Sequence, residues 1–340
     1  MDTHPEGTAD DAVDPWAWVN ETDEAESLDL GAHRVTAVLV SHDGAEWLPA
    51  ALDGLAHLTP GPDRVVLVDA GSDDETASVL AEAADAQDHW QVASAPAGSY
   101  AGAVRVGLDA VTDPGSGDSD GAEDVDGAED ADRPEDGDRT DWVWLLHDDA
   151  VPRPDALGPL VATAVERGAA LATPRLVQPA TRQDPARLSE LGVSVSRSGR
   201  REVHVDAGEV DQGQHDTVNE VLGGSTCGLL VRRDVFDELG GLNDALPAHR
   251  DGVDLGWRAW LAGHSVVAVP AACVEHRQVG LGSLRSGTED DAATDRAYGM
   301  ALVTAHARGI GRVLTPVRLV LASVLRILGF LIGKAPDRAR

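Results

Sequence analysis

The fold is decided by the stretch RVTAVLVSHDGAEWLPAALDGL, residues 34–55. It opens with a nearly continuous apolar and β-branched run, Arg34 to Val40, which is typical of a parallel strand covered on both faces. Apolar residues then recur at helical spacing, and Pro60–Gly61–Pro62 predicts the end of that helix. These apolar positions are Trp47, Leu48, Ala51, Leu52, Leu55 and Leu58. The stretch therefore predicts a strand followed by a helix, the repeating unit of parallel α/β sheets.

The same alternation continues along the chain. RVVLVD (64–69) predicts a second strand and TASVLAEAA (76–84) its helix, whereas WQVA (90–93) predicts a short third strand. GAVRVGLDAV (102–111) predicts another helix, and WVWLLH (142–147) resumes the sheet as a central strand. This order predicts an α/β fold with a mostly parallel central sheet, right-handed crossovers and flanking helices.

The second half of the chain mixes shorter elements. It predicts strands at 169–177, 265–270 and 272–276, a strand pair within 193–206, and helices at 232–241 and 251–263. No GxGxxG follows the first strand, the chain contains no GxxxxGK[ST] motif, and no GxSxG elbow follows a predicted strand. These absences argue against a dinucleotide-binding fold, a P-loop enzyme and the usual serine hydrolase.

The amino-acid composition limits which binding partners and which cellular compartment are expected. The 340 residues carry a formal net charge of −32, which argues against nucleic acid as the main partner because phosphate binding requires a basic face. Two cysteines form no disulfide framework, so a reducing compartment is expected. The acidic start of the chain has no apolar core of a secretory signal, so none is predicted.

Two acidic segments are predicted to lie outside the packed domain. Residues 1–30 are expected to be a flexible tail, and residues 113–140 a disordered insertion, since neither can bury enough apolar surface to order itself. A solvated acidic loop is favoured over a functional acidic ligand for the insertion. The folded domain is therefore expected to span residues 31–310.

The last segment, residues 311–340, predicts a basic amphipathic helix. Its polar side carries Arg312, Thr315, Ser323, Arg326 and Lys334, and its apolar side carries Val313, Val317, Val320, Leu321, Val324, Ile327, Leu328 and Leu331. The apolar run is too short and too interrupted by charge for a simple membrane span. Such a helix suits an anionic membrane surface, or the junction with a membrane domain. The alternative is a helix packed on the domain with its arginines solvated.

Polar clusters follow three predicted strands. They are Ser41-His42-Asp43, Asp69 to Asp74, and His147-Asp148-Asp149. Because ligands of open α/β sheets bind at the carboxyl ends of the strands, the three clusters describe one pocket. Mg²⁺ is held in proteins by one or two carboxylates together with substrate phosphates, which suits Asp148 and Asp149. A pair of aspartates alone is also common in turns and helix caps, so the chemistry stays open at this point.

The order of five sequence segments along the chain resolves much of the ambiguity about the role of Asp148 and Asp149. Five segments, VTAVLVSHDGAEWLPAALDGL, VVLVDAGSDDETA, WVWLLHDDAVPRPDAL, LLVRRDVFDELGGLNDALPAHRDGVDLGWRAWLAG and VVAVPAACVEHR, resemble in this order the family 2 glycosyltransferases. The resemblance extends to actinobacterial cell-envelope members and covers about residues 34–277, apart from the acidic insertion. It implies the GT-A fold, a Rossmann-like α/β domain.

For the donor side, the resemblance implies that Ser41, Asp43 and Asp69 contact the base and ribose of a nucleotide sugar. For Asp69 the alternative is a turn that starts the next helix. The DxD motif of the family falls on residues 147–149, where His147 departs from the pattern and Asp148 lies beside it, both facing the nucleotide sugar. Gly98 and Arg105 match a loop and helix that line the donor pocket, although Arg105 could equally be a surface residue. Asp149 takes the metal-ligand position for Mg²⁺ or Mn²⁺.

For catalysis, the late acidic motif of the family falls on residues 251–255. An inverting transfer needs a base within hydrogen-bond reach of the acceptor hydroxyl. In the family the second acid of this motif often serves, but this chain has Gly252 there, so Asp251 is the candidate base with Asp254 behind it. The alternative is that Asp251 caps the helix that follows.

The remaining assignments concern the metal and the acceptor. His276 ends a strand where the family often completes its metal site, and an isolated histidine would otherwise be structural. Acceptor-side positions are Gly223, Gly224, Ser225 and Trp257, and small residues there would let a sugar approach the backbone. Cys227 is predicted to serve packing alone.

These assignments predict a metal-dependent inverting glycosyltransferase that uses a UDP- or dTDP-sugar. A hexosyl, rhamnosyl or galactofuranosyl group would pass to a hydroxyl of a cell-envelope glycan or lipid-linked acceptor, at the cytoplasmic face of the membrane. The alternative is a non-catalytic GT-A domain that binds nucleotide sugar or scaffolds an envelope complex.

Overall fold

A computed structural model describes residues 30–112, 139–182, 184–246, 248–278 and 292–332. The predicted acidic tail, most of the predicted insertion and the last eight residues of the predicted basic helix lie outside these ranges. The strands are β1 His33–Ser41, β2 Arg64–Asp69, β3 Trp90–Ser94, β4 Thr140–His147, β5 Ala150–Pro152, β6 Leu171–Gln178, β7 Arg187–Leu191, β8 Ser194–Val195, β9 Arg201–Glu202, β10 Asn219–Glu220, β11 Leu230–Arg232 and β12 Val266–His276. The helices are α1 Leu48–Ala56, α2 Thr76–Asp85, α3 Tyr100–Thr112, α4 Leu157–Glu166, α5 Arg233–Glu238, α6 Ala248–Ala262, α7 Ala292–Ala305 and α8 Gly311–Ile332.

The central sheet has the strand order β10-β12-β6-β11-β4-β1-β2-β3. Neighbours β3, β2, β1 and β4 are all parallel, as the sequence predicts, and β6 and β12 form a second parallel pair. Between the two groups lies β11, which is antiparallel to both β4 and β6. The carboxyl ends of β1, β2 and β4 therefore share one edge with the amino end of β11.

Helices cover both faces of the sheet, and the alternation along β1 shows why. Val35, Ala37 and Leu39 enter a core cluster with α1, α2 and α4, whereas Val38 and Val40 enter a second cluster with α3, α5 and α6. Because successive strand side chains point to opposite faces, an apolar strand without polar alternation has to be buried on both. The continuous run that opens β1 is thus explained by its central position.

Three sequence-based predictions need correction. The two strands predicted at 265–270 and 272–276 form one strand, β12, whose pairing with β6 shifts register between Val269 and Cys273. The predicted strand pair within 193–206 is reduced to β8 and β9, of two residues each. Helices α4 and α7 were not predicted.

The predicted C-terminal helix is present as α8, of 22 residues. Leu319 is buried, and Arg318 donates a hydrogen bond to the carbonyl oxygen of Arg197 at 2.7 Å, so one side of the helix touches the domain. The predicted apolar side is exposed instead, for example at Val313, Val320 and Leu328. Within the described residues, no helix combines the length and apolar content needed to cross a membrane.

Candidate active site

The site begins where β1 and β4 end side by side. These strands are parallel with Val40 opposite His147, so the next residues, Ser41 and Asp148, are also neighbours. The Ser41 hydroxyl donates to Asp148 Oδ2 at 2.7 Å, and the backbone N–H of His42 donates to the same oxygen at 3.3 Å. Both side chains are buried. Asp148 is therefore held by its neighbours in one orientation.

Gly44 makes this arrangement possible. A Cβ atom at Gly44 would lie 2.2 Å from Asp148 Oδ2 and 2.3 Å from Ser41 Oγ, far inside van der Waals contact. The backbone N–H of Gly44 donates to the Thr76 hydroxyl at 2.9 Å, which joins this loop to the start of α2. The glycine in SHDGAEW is thus required by the close approach of the loop to Asp148.

The loops after β1 and β2 bond to each other. Asp69 Oδ1 accepts from the backbone N–H of Ser72 at 3.1 Å, which is the turn given above as the alternative for this residue. Asp43 adopts a left-handed backbone with φ 48°, and its Oδ1 accepts from the backbone N–H of Asp73 at 2.8 Å. The structure brings Ser41, Asp43, Asp69 and Asp148 to one edge, and nucleotide contact by these residues stays a prediction.

Asp149 faces the opposite side, towards the end of β12. Strand β5 pairs with β12 so that Ala150 lies opposite His276, and this places His276 Nε2 3.3 Å from Asp149 Oδ1. Burial disfavours a charged His276, yet Cys227 and Asp149 together raise its pKa well above the usual value. The two positions that the resemblance assigns to metal therefore lie side by side.

Cys227 also belongs to this cluster. Donor atoms of His147, Cys227 and His276 all lie within 4.8 Å of one another. The His147 and His276 rings are 5.9 Å apart, centroid to centroid. The prediction that Cys227 serves packing alone did not consider that His147 and His276 lie beside it.

A chain of hydrogen bonds connects His147 to Asp251 through Thr226. The Thr226 hydroxyl donates to Asp251 Oδ1 at 3.3 Å and lies 3.0 Å from His147 Nε2. The hydroxyl therefore lies within hydrogen-bond distance of both side chains and links His147 to Asp251. Tyr100 packs on the other side, with its ring centroid 4.6 Å from that of His147.

Asp251 is fully buried in the first turn of α6. Burial raises its pKa well above the usual 3.8, and hydrogen bonds from Gly252 and Thr226 only partly oppose this. Its Oδ2 has no hydrogen-bond partner among the described residues. A buried carboxylate with one unsatisfied oxygen and a raised pKa is a stronger base than an exposed one.

Asp254, one turn further along α6, has a different environment. It forms an ion pair with Arg258 at 2.7 Å and a hydrogen bond with His306, the residue after α7, at 2.8 Å. Burial opposes ionisation, but His306 and Arg258 outweigh it and lower the pKa of Asp254 below 3.8. Trp257 stacks on the His306 ring with centroids 4.7 Å apart. Asp254 is thus an anchor between α6 and α7, with both oxygens engaged.

The loop before β11 packs against α6 without room for side chains. A Cβ atom at Gly223 would lie 2.9 Å from the Cα of Val253, and one at Gly252 would lie 2.3 Å from the carbonyl oxygen of Gly224. Ser225 donates its backbone N–H to buried Glu190 at 2.6 Å. Close helix packing explains these small residues, and acceptor contact by Gly223, Gly224, Ser225 and Trp257 stays a prediction.

Two predicted donor-site residues are engaged elsewhere or exposed. Arg105 forms an exposed ion pair with Asp244 at 3.1 Å, in agreement with the surface alternative. Gly98 is exposed in the loop before α3.

Sequence reasoning missed four residues of the site. They are Tyr100, Glu190, Thr226 and His306, which contact His147, Ser225, Asp251 and Asp254 respectively. None lies in a recognisable motif. Thr226 had the best signal, since it stands between Ser225 and Cys227 in the glycine-rich loop that the resemblance assigns to the acceptor side.

Comparison with solved structures finds the same fold at low sequence identity. GalNAc-T7 with UDP, GalNAc and Mn²⁺ aligns with a TM-score of 0.51 and 14% identity, over 72% of this chain and 44% of that one. TarS from S. aureus aligns with a TM-score of 0.50 and 12% identity, over 81% and 39%. Its fragment 1–349 in complex with UDP-GlcNAc aligns with a TM-score of 0.51 and 14% identity, over 81% and 66%. This chain thus spans 39 to 66% of the length of these proteins.

Sequence comparisons give the family. Among curated protein sequences, none matches the chain. The profile of the family described as "Glycosyltransferase like family 2" matches residues 33–284, which include every strand and helix from β1 to β12. The GT-A fold and the resemblance to family 2 glycosyltransferases are thereby confirmed, and the chain belongs to glycosyltransferase family 2.

Proposed function

We propose that this protein is a metal-dependent inverting glycosyltransferase. It would move a hexosyl, rhamnosyl or galactofuranosyl group from a UDP- or dTDP-sugar to a hydroxyl of a cell-envelope glycan or lipid-linked acceptor. The observation that carries the proposal is the meeting of Asp148, the Asp149–His276 pair and Asp251 at one edge of the sheet. TarS with UDP-GlcNAc and GalNAc-T7 with UDP and Mn²⁺ support it, because they show this fold holding such ligands.

The residues present fit a divalent cation. Asp149 and His276 supply a carboxylate and an imidazole 3.3 Å apart, and Mg²⁺ or Mn²⁺ commonly completes its coordination with substrate phosphates. When bound, the ion would offset the negative charge of the departing diphosphate. Asp148, fixed by Ser41 and the His42 backbone, would orient the nucleotide sugar beside it.

Asp251 would take the proton of the acceptor hydroxyl. Its raised pKa suits a general base, and its unsatisfied Oδ2 is the oxygen that an acceptor could engage. Asp254 would act as a positioning residue, because Arg258 and His306 occupy its oxygens and fix the first turns of α6.

The protein would act at a membrane surface. The apolar side of α8 is exposed over several turns, and Arg312 and Arg326 lie on its other side. A helix with an apolar face and a basic face binds anionic bilayers in the plane of the interface. This location, at the inner face of the cell membrane, would bring the site to a lipid-linked acceptor.

One observation favours the non-catalytic alternative. The position where the family carries its second acid is Gly252, and a side chain there would collide with the carbonyl oxygen of Gly224. In that case the domain would bind nucleotide sugar or scaffold an envelope complex without transfer.

Calorimetry with UDP and dTDP, with and without Mn²⁺, tests the donor site. We expect tighter nucleotide binding with the metal, and loss of that gain in Asp148→Asn and Asp149→Asn. Asp53→Asn, at an exposed position of α1, is the matched control and should bind as the parent chain does. Equal nucleotide binding with and without metal would contradict the proposal.

A screen of nucleotide sugars by nucleotide release then separates the two functions. Release that depends on an added glycan or lipid-linked acceptor supports transfer. Metal-dependent nucleotide binding without release from any donor supports the non-catalytic alternative.

A further inference from the structure

The ligand cluster around His276 contains a sulfur donor that an oxygen-based metal site does not need. Donor atoms of His147, Cys227 and His276 lie within 4.8 Å of one another, and Cys227 is fully buried. Mg²⁺ and Mn²⁺ prefer oxygen ligands, whereas imidazole and thiolate together are the ligands of Zn²⁺ and related ions. We propose that His147, Cys227 and His276 form a binding site for a zinc-class ion.

Each histidine is oriented by a neighbour through one ring nitrogen. Asp149 faces His276 Nε2 at 3.3 Å, and His276 Nδ1 is buried with no hydrogen-bond partner among the described residues. The Thr226 hydroxyl oxygen lies 3.0 Å from His147 Nε2. Metal-bound histidines usually donate their other ring N–H to a carboxylate or another oxygen in this way.

The distances allow three ligands around one ion. A tetrahedral ion with bonds of about 2.0 to 2.3 Å needs ligand atoms about 3.3 to 3.8 Å apart. The cluster therefore has to contract by at most about 1.5 Å, which small side-chain rotations supply. Binding releases the Cys227 proton to solvent, since the thiolate is the ligand. A fourth position is left for water or for a phosphate oxygen.

The substitution at the start of the DxD motif then has a chemical meaning. His147 supplies an imidazole at this position, and Cys227 supplies sulfur from the loop before β11. Together these two ligands favour softer ions than an all-oxygen site does. The inference deepens the proposed function, because it assigns a zinc-class ion to His276 in place of Mg²⁺ or Mn²⁺ and makes Asp149 the partner that orients His276 rather than a ligand. Its test needs neither nucleotide nor transfer.

Cobalt spectroscopy on the full chain tests the site. After treatment with a chelator, the chain should bind one equivalent of Co²⁺ and show a thiolate-to-cobalt charge-transfer band in the near ultraviolet. Zn²⁺ should remove the band at one equivalent, and a tenfold excess of Mn²⁺ or Mg²⁺ should not. Failure of nucleotide binding in the calorimetry above would leave this result unchanged, so the two proposals fail separately.

Variants identify the ligand. Cys227→Ser should lose the band, whereas Cys273→Ser should keep it, because Cys273 is the other buried cysteine and lies outside the cluster. Asp149→Asn should weaken Co²⁺ binding by about 10- to 100-fold, the usual effect of removing such a partner. A parent chain without the band, or an equal band in Cys227→Ser, overturns the proposal.

X-ray absorption of the zinc-loaded parent chain covers the case in which Cys227→Ser does not fold. Sulfur at about 2.3 Å from zinc supports the site, since Zn–S bonds have this length. A shell of nitrogen and oxygen alone excludes Cys227 as a ligand and overturns the proposal.

Discussion

Four aspartates meet in the site, and the structure gives each a different environment. Asp148 is fixed by a hydroxyl and a backbone N–H, and Asp149 faces an imidazole. Asp251 is buried with one oxygen unsatisfied, and Asp254 is held by two cationic partners. Because the pKa of a carboxyl group follows burial and neighbouring charge, identical side chains can serve separate roles here.

At the scale of single residues, Gly44→Ala should lower both the stability of the protein and its affinity for nucleotide. The new Cβ would overlap Asp148 Oδ2 and Ser41 Oγ, so the bond between them has to break or the loop has to move. We expect a loss of about 1 to 3 kcal/mol in the free energy of unfolding, as for other overpacked sites. Urea unfolding measures it.

Gly61→Ala is the matched control for that substitution. The nearest atom to its new Cβ is the Leu58 carbonyl oxygen at 3.5 Å, an ordinary contact. Stability should change little there. Equal effects at the two glycines would show that the close approach of Gly44 to Asp148 is unimportant.

Asp251→Asn should stabilise the protein while it removes turnover. The folded pKa of Asp251 lies above the unfolded value, so its contribution to stability falls as pH rises from 3.8 towards the folded pKa and then stays low. Asparagine removes this penalty, and we expect a gain of about 1 to 3 kcal/mol at pH 7. Loss of a general base should lower turnover by about 10² to 10⁴-fold.

Thermal unfolding of the parent and of Asp251→Asn from pH 3 to pH 8 checks the sign of this pH dependence. The difference in stability between the two chains should increase with pH and then level off. Asp254→Asn is the comparison, because its folded pKa is lowered: that variant should lose stability relative to the parent at pH 7 and approach it below pH 3.8. A parallel response of the two variants would contradict the roles assigned here.

At the scale of elements, the direction of β11 determines which residues reach the site. Its antiparallel course brings the start of the strand, and the loop before it, to the edge where β1 and β4 end. Thr226 and Cys227 come to His147 and His276 by this route. A strand of three residues carries little directional information in its sequence, so this contact could not be predicted from the pattern.

The prediction that the protein binds a membrane surface depends on helix α8. Full-length chain should float with liposomes that contain anionic lipid, and less with neutral ones, because both its apolar face and its arginines contribute. Removal of residues 311–340 should abolish flotation. If the shortened chain floats equally well, the helix is not the membrane contact.

A pair of single substitutions separates apolar contact from charge. Val320→Glu places a carboxylate on the exposed apolar face, whereas Thr315→Glu adds the same charge on the polar side. We expect Val320→Glu to weaken flotation more strongly, since it also loses the burial of an apolar side chain, about 1.5 to 3 kcal/mol. Equal weakening would indicate that charge alone matters.

Across the whole molecule, the sequence predicts the parallel half of the sheet well and the rest less completely. Unbroken apolar runs mark β1, β2 and β4 because these strands are buried on both faces. Helix α4 was not predicted, and the strands predicted at 265–270 and 272–276 are one strand, β12. Pro270 lies within this strand. Proline fits there because the pairing with β6 is interrupted between Val269 and Cys273.

The candidate site also has a part that the sequence predicts and a part that it does not. Strand ends of parallel neighbours have to share an edge, so the grouping of Ser41, Asp69, Asp148 and Asp149 follows from sequence alone. The contact between His147 and Thr226 joins residues 79 positions apart, and the one between Asp254 and His306 joins residues 52 apart. Such pairings depend on tertiary packing, which local patterns do not encode.

The close approach of Gly252 to the Gly224 carbonyl also bears on how this sequence could evolve. A mutation that restored an acid at position 252 would force the backbone of the glycine-rich loop to move at the same time. That loop carries Thr226 and Cys227, so its displacement would disturb their neighbours as well. An acidic residue at position 252 therefore requires compensating changes in the glycine-rich loop.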